Sequence, residues 1–167
     1  MGMIYTDQDW MQEAINLAQK AAKQNEVPIA ALLVYKNQKI AEAWNQPITL
    51  SDPTAHAEIL VLKQAGEILK NYRLLDTTLY VTLEPCPMCA GAMLHARIKR
   101  LVFGAFDSKT GAAGSAFNLL HEQKSYPKID VFGGVLAESC GTLLTDFFKK
   151  KRKCLVTNSR VNAYKFQ

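Results

Sequence analysis

Two short segments carry residue types that hold metals and move protons: His56, Ala57, Glu58, and Glu84, Pro85, Cys86, Pro87, Met88, Cys89. One imidazole and two thiolates are the donors that zinc takes, and a zinc with only three protein ligands keeps an open position for water. That open position separates a catalytic centre from a closed structural one. Water activated by zinc has a pKa near about 7, where a neighbouring carboxylate such as Glu58 can take its proton. The pattern reads as a metallohydrolase centre with Glu58 as proton shuttle and one Zn2+ per chain on His56, Cys86 and Cys89.

The ligands constrain the elements that hold them. Cys86 and Cys89 are three positions apart, so at the start of one helix they share a face, and the positive end of the helix dipole favours their thiolates. His95 on the same helix lies about 240° around from Cys89 and points elsewhere. His121 sits in a polar stretch beside Glu122, Cys140 reads as a small buried hydrophobe in a helical pattern, and Cys154 as an incidental thiol in the tail. His56 and Glu58 are two apart and do not face each other within a regular helix, so they must converge from an irregular first turn. The small Ala57 between them leaves room for a substrate.

Around these segments the periodicity predicts a first helix over residues 7–23, opened by a Thr6–Asp9 capping box. Val27 to Tyr35 and Lys39 to Trp44 read as a hairpin, with Asn45 where its second strand ends. Asp52 or Thr54 is expected to cap a helix running to about residue 70, with Pro53 in its first turn. A strand over 79–83, a helix from Pro87 to about His95, strands over 101–105 and 129–135, and a helix over 138–152 complete the order α-β-β-α-β-α-β-β-α. This is an α/β chain, with helices expected on both sides of a five-stranded mixed sheet in three α-β-α layers.

At 167 residues, 49% hydrophobic and 21% charged, the chain has the size and composition of one globular domain. The domain is expected over residues 1–153, with 154–167 a possible flexible tail. The longest apolar run, Val27 to Tyr35, is far shorter than the roughly 20 residues that span a bilayer. No signal-peptide pattern opens the sequence, so a cytoplasmic location without membrane contact is expected. Met1, Gly2 and Thr6 fit a loose myristoylation pattern, but Thr6 is better used as a helix cap. Charge is unevenly placed: residues 146–167 hold seven Lys or Arg against one Asp, a net +6, while the other 145 residues net −1. A basic patch of this kind attracts phosphate backbones.

His-x-Glu with Pro-Cys-x-x-Cys is the signature of zinc-dependent base deaminases. Beyond it, residues 7–153 resemble the family of bacterial tRNA-specific adenosine deaminases, within the cytidine deaminase-like zinc superfamily. The resemblance is carried by Glu26 to Val34 (EVPIAALLV), Trp44 to Ile59 (WNQPITLSDPTAHAEI), Asn71 to Ile98 (NYRLLDTTLYVTLEPCPMCAGAMLHARI), Leu101 to Ser115 (LVFGAFDSKTGAAGS) and Asp146 to Phe148 (DFF). It implies a cytidine deaminase-like fold and conversion of a wobble adenosine to inosine in a tRNA anticodon stem-loop. It implies zinc on His56, Cys86 and Cys89, proton shuttling by Glu58, and base contact by Asn45. It further places Asp107 by the ribose, sets Phe148 and the following basic residues on the anticodon loop, and implies a homodimer through the helix bearing Ala90, Gly91, Ala92 and Met93. Two positions depart from the family pattern: Ala30 where relatives often have Gly, which would crowd a tight packing point, and Phe106 where some have Arg.

Two other readings compete. A free-base or nucleotide deaminase of the guanine or cytosine type would share the signature, but a small substrate needs neither the basic tail nor the aromatics. A nucleic-acid-binding module with a structural zinc requires a fourth protein ligand, against which the helical phase of His95 argues.

Overall fold

The computed structural model describes residues 5–122 and 124–163, with side chains up to Lys153. Met1 and Gly2 of the myristoylation pattern and the Cys154 side chain lie outside this description. The amphipathic helix α1 (Asp7–Lys23) starts at the expected capping box: Thr6 N–H donates to Asp9 Oδ2 at 2.8 Å and Asp9 N–H to Thr6 Oγ1 at 3.3 Å. Strands β1 (Ala30–Tyr35) and β2 (Gln38–Trp44) form the hairpin, turned by Lys36 and Asn37 at positive φ. After one helical turn, α2 (Pro47–Leu50), come α3 (Ala57–Leu69), β3 (Thr77–Leu83), α4 (Pro87–Ala96) and β4 (Arg100–Ala105). A second single turn, α5 (Leu119–Glu122), precedes β5 (Asp130–Gly133) and α6 (Ala137–Ala163).

The five strands lie in the order β2-β1-β3-β4-β5. The β2–β1 and β1–β3 pairs are antiparallel, and β3–β4 and β4–β5 are parallel. Strand side chains alternate between faces, and the sequence fills both. Ala31, Leu33, Leu79, Val81, Leu101 and Phe103 pack under α3 and α4, while Leu32, Val34, Tyr80 and Val102 pack against α1 and Cys140 of α6. The expected three-layer mixed sheet is therefore present.

Three expectations need correction. The helix after the hairpin does not start at Asp52 or Thr54; Asp52 instead closes a turn, accepting from Thr54 N–H at 2.8 Å, and His56 is the N-cap. A 3.6-residue period locates the body of a helix but not which polar residue begins it. Helix α6 continues past Arg152 to Ala163. Ala30 is fully buried against the α1 side of the sheet and holds its strand register, so the extra methyl is accommodated.

One polar link ties α1 to the parallel half of the sheet. Arg100 of β4 donates from both guanidinium nitrogens to Asp7 at 2.7 and 2.6 Å, and Tyr80 Oη donates to Asp7 Oδ1 at 2.8 Å. The Arg100 bond, helped by Tyr80 and opposed by burial, holds the Asp7 carboxyl below its usual range. A depressed carboxylate adds stability above its unfolded-state pKa and loses it as pH falls through the folded value. Solvent still reaches the pair, so Asp7→Ala should cost only about 1–2 kcal/mol at neutral pH. Urea unfolding should show that gap constant above about pH 5 and closing in more acid solution; a pH-independent gap would remove the ion pair as its cause.

Candidate metal centre

Helices α3 and α4 begin facing each other, and each begins on a metal-type side chain. His56 is the N-cap of α3, with extended backbone (φ −73°, ψ 151°), and Cys86 is the N-cap of α4 (φ −74°, ψ 170°). Neither side chain makes a capping bond. The work is done by others: Asn45 Oδ1 accepts from the Ala57 N–H at 2.8 Å, and Pro87 needs no partner at the first position of α4. The imidazole and the thiol are thus free to turn toward one point. Because His56 stands outside the helix and Glu58 inside it, the two converge despite being two residues apart.

His56 Nδ1 lies 3.7 Å from Cys86 Sγ and 3.6 Å from Cys89 Sγ, and all three donor atoms fall within 4.8 Å of one another. Zinc–sulfur and zinc–nitrogen bonds at tetrahedral angles imply an N···S separation of about 3.5 Å, so the triad fits the ion. Among the described residues this is the only His, Cys, Asp or Glu group with such geometry. His95 is exposed and turned to Tyr126 Oη at 3.2 Å, and His121 is exposed, so neither closes the shell.

The electrostatics of the site follow from crowding. A bond from the Cys89 thiol, joined by the His56 contact and opposed by burial, pulls Cys86 down to about 4. Sharing that one proton, together with burial, pushes Cys89 up. A zinc held by His56, Cys86 and Cys89 would keep both sulfurs as thiolates. The Cys86 bond draws the His56 pKa upward. Glu58 is buried, and desolvation raises its pKa against the influence of nearby His56. A carboxyl that is reluctant to stay charged, beside a metal position, suits proton transfer in both directions.

The other residues singled out in the sequence divide into two groups. Asn45 is buried at the site with its oxygen committed to Ala57, which leaves its N–H donors to meet a ligand. Ala57 is fully buried in the apolar cluster, and its backbone N–H is held by Asn45. Asp107 follows β4, and its carboxylate closes its own loop, accepting from Lys109 N–H, Thr110 N–H and Thr110 Oγ1 at 2.9, 3.2 and 2.6 Å. Burial opposes its ionisation, but these bonds prevail and lower its pKa. Phe148 is exposed on α6, across a groove from Asp107.

Sequence reasoning gave no role to Glu84. Its buried carboxylate accepts from three backbone N–H groups, Asp107 at Oε2 and Ala113 and Ser115 at Oε1, each at 3.0 Å. A Cβ on Gly111 would come within 2.4 Å of Glu84 Cδ, so the loop can wrap the carboxylate only with glycine there. Ala112 N–H then donates to Pro85 O at 2.8 Å, fastening the loop beside Cys86. The available signal was a glutamate at a strand end together with a small-residue loop able to enclose it.

A surface hollow of about 690 Å³ lies elsewhere, between the outer faces of α3 and α4 beside Leu62, Ala92 and His95. Among the described residues its lining holds no group of three metal-type ligands, unlike the helix starts.

Residues 4–105 match the cytidine and deoxycytidylate deaminase zinc-binding region. The chain is 53% identical over 148 residues to a tRNA-specific adenosine deaminase of Haemophilus influenzae, covering 88% of this chain and 86% of that one. It is 48% identical over 147 residues to one of Bacillus subtilis, covering 88% and 91%. A structure from a study of A-to-I editing by tRNA:A34 deaminases superposes with a TM-score of 0.78 at 41% identity, covering 81% of this chain and 98% of that one. The guanine deaminase of Nitrosomonas europaea, at 23% identity and a TM-score of 0.75 over 87% and 86% of the two chains, shares the fold. With its ligand triad, its sheet order and these similarities, the chain belongs to the zinc-binding cytidine and deoxycytidylate deaminase family, among the tRNA-specific adenosine deaminases.

Proposed function

We propose that the protein deaminates adenosine to inosine at the wobble position of a tRNA anticodon, with His56, Cys86 and Cys89 holding zinc and Glu58 moving the protons. The observation that carries this reading is the convergence of a three-donor triad with a buried carboxyl at two facing helix starts. The relatives named for tRNA, and the net +6 of residues 146–167, support RNA over a free base.

When bound, the dication supplies a Lewis acid that makes water a nucleophile near neutral pH. Glu58 takes a proton from the attacking water and passes it to N1 of the adenine as C6 accepts oxygen, then takes the remaining hydroxyl proton and delivers it to the departing amine, so that water is consumed and ammonia released. Burial keeps the protonated form of Glu58 accessible during this exchange. Asn45, fixed through its oxygen, offers N–H donors to the base. The base must leave its stack to reach the site, which costs least in a single-stranded loop. Residues 1–153 form the deaminase domain in this reading, and the basic tail serves the RNA. A tRNA substrate supports a cytoplasmic location. No helix among the described residues is long and apolar enough to cross a membrane.

A homodimer through the outer faces of α3 and α4 is part of the same proposal. Ala90 and Met93 are buried in the chain's own core, but Gly91 faces open space, and Ala92 with His95 lines the 690 Å³ apolar hollow. A second copy can approach closely there. Ala92→Arg should shift the protein to monomer in sedimentation equilibrium; an unchanged mass would place the interface elsewhere.

Glu58→Gln should retain stoichiometric zinc by elemental analysis while turnover falls by about 10²–10⁴-fold. Loss of metal together with activity would instead make Glu58 part of the zinc-holding set. Incubation with tRNA carrying a wobble adenosine should yield inosine by sequencing. Deamination of free guanine or cytosine, with the tRNA untouched, would overturn the RNA reading.

A further inference from the structure

Phe106 directly follows the carboxyl end of β4, beside the end of β3 that leads to Cys86. Leu83 and Ala105 are paired at the ends of the parallel strands β3 and β4. Glu84 to Cys86 follow the first and Phe106 the second, and ligands of open α/β sheets gather beyond such carboxyl ends. The Phe106 ring is 60% exposed. It is nevertheless held: it stands edge-to-face on buried Phe103, with centroids 5.1 Å apart at 87°. It also packs over Gly134, where φ is +92° and a Cβ would sit 3.4 Å from the ring. A fixed ring with more than half its area in water contributes little to the core.

The ring forms one wall of a groove of about 360 Å³ whose apolar lining includes Val27, Leu83 and Leu144, with exposed Phe148 of α6 and Lys109 also bordering it. An adjoining hollow shares Lys109, Leu144 and Phe148 and adds Arg152. Neither the Lys109 amine nor the Arg152 guanidinium forms an ion pair among the described residues. The Asp107 carboxylate also lines the groove and feels the charge of Lys109, while Arg152 lies in the adjoining hollow; aromatic faces beside these cations match an unpaired nucleobase with its flanking phosphates.

We infer that this groove is a base-stacking subsite, in which Phe106 takes the face of an unpaired loop nucleotide next to the target while Lys109 and Arg152 meet its phosphates. The inference rests on the RNA-deaminase reading and adds to it a specificity element. A stacking face tolerates any base, so the subsite selects single-stranded RNA over free nucleosides rather than one sequence over another.

The test is steady-state deamination of an anticodon stem-loop RNA with a wobble adenosine, using wild type, Phe106→Ala and Phe106→Tyr. Phe106→Ala should raise KM by about 5- to 100-fold, the range of losing one stacked base. Its kcat, zinc content and melting temperature should be unchanged, and Phe106→Tyr should restore KM. In parallel, 2-aminopurine placed at each loop position in turn should be quenched on binding at one position next to the target, and released from quenching in Phe106→Ala. An unchanged KM, a fall in kcat instead, a KM defect that Tyr does not rescue, or fluorescence indifferent to Phe106 at every position would each overturn the subsite. If wild type forms no inosine in the stem-loop, the RNA reading itself fails and the subsite with it; if wild type is active and Phe106→Ala is its equal, the subsite alone fails.

Discussion

Everything in this molecule that bears on chemistry depends on two helices starting at one point. His56 Nδ1 can sit 3.6 and 3.7 Å from two sulfurs only because α3 and α4 lie on the same face of the sheet and open toward each other. Both starts leave their first side chain uncommitted. Asn45 satisfies the Ala57 N–H, and Pro87 has none to satisfy, so neither His56 nor Cys86 is consumed in capping. Were either residue an ordinary cap, its donor atom would turn back onto its own helix.

The surroundings of this point are held by buried carboxylates, which is an unusual use for them. Glu84 collects three N–H groups and folds the 107–115 loop against the metal side. Glu26, also buried, accepts from Thr49 N–H at 2.7 Å and Thr49 Oγ1 at 2.8 Å, pinning the segment that joins Asn45 to His56. Both are acceptors that irregular loops need, because a loop folded beside a dry site must place its N–H groups somewhere. At Glu58 desolvation prevails over its backbone N–H bond and nearby His56, and the carboxyl pKa is raised.

Much of the fold was legible because its signals are local. The capping box at Thr6, the apolar periods of α1 and α3, and the run from Ala30 to Val34 each depend on residues close in sequence, and each element appeared within a few residues of expectation. The start of α3 was misplaced for the opposite reason: its first N–H is satisfied by Asn45, twelve residues away, not by the nearby Asp52 or Thr54. The role of Glu84 was likewise invisible, since its partners lie 23 to 31 residues downstream.

The sequence by itself determined the donor set, the free carboxylate, the layer order and the uneven charge, because ligand chemistry, periodicity and charge are properties of residue types and spacings. Only the tertiary structure decided that His56 stands outside its helix while Glu58 stands inside, that Ala57 is buried in the core, and that Phe106 shares a groove with Phe148. Those facts concern which residues far apart in the chain share a volume, and that is fixed by sheet order and helix docking, which no local pattern encodes.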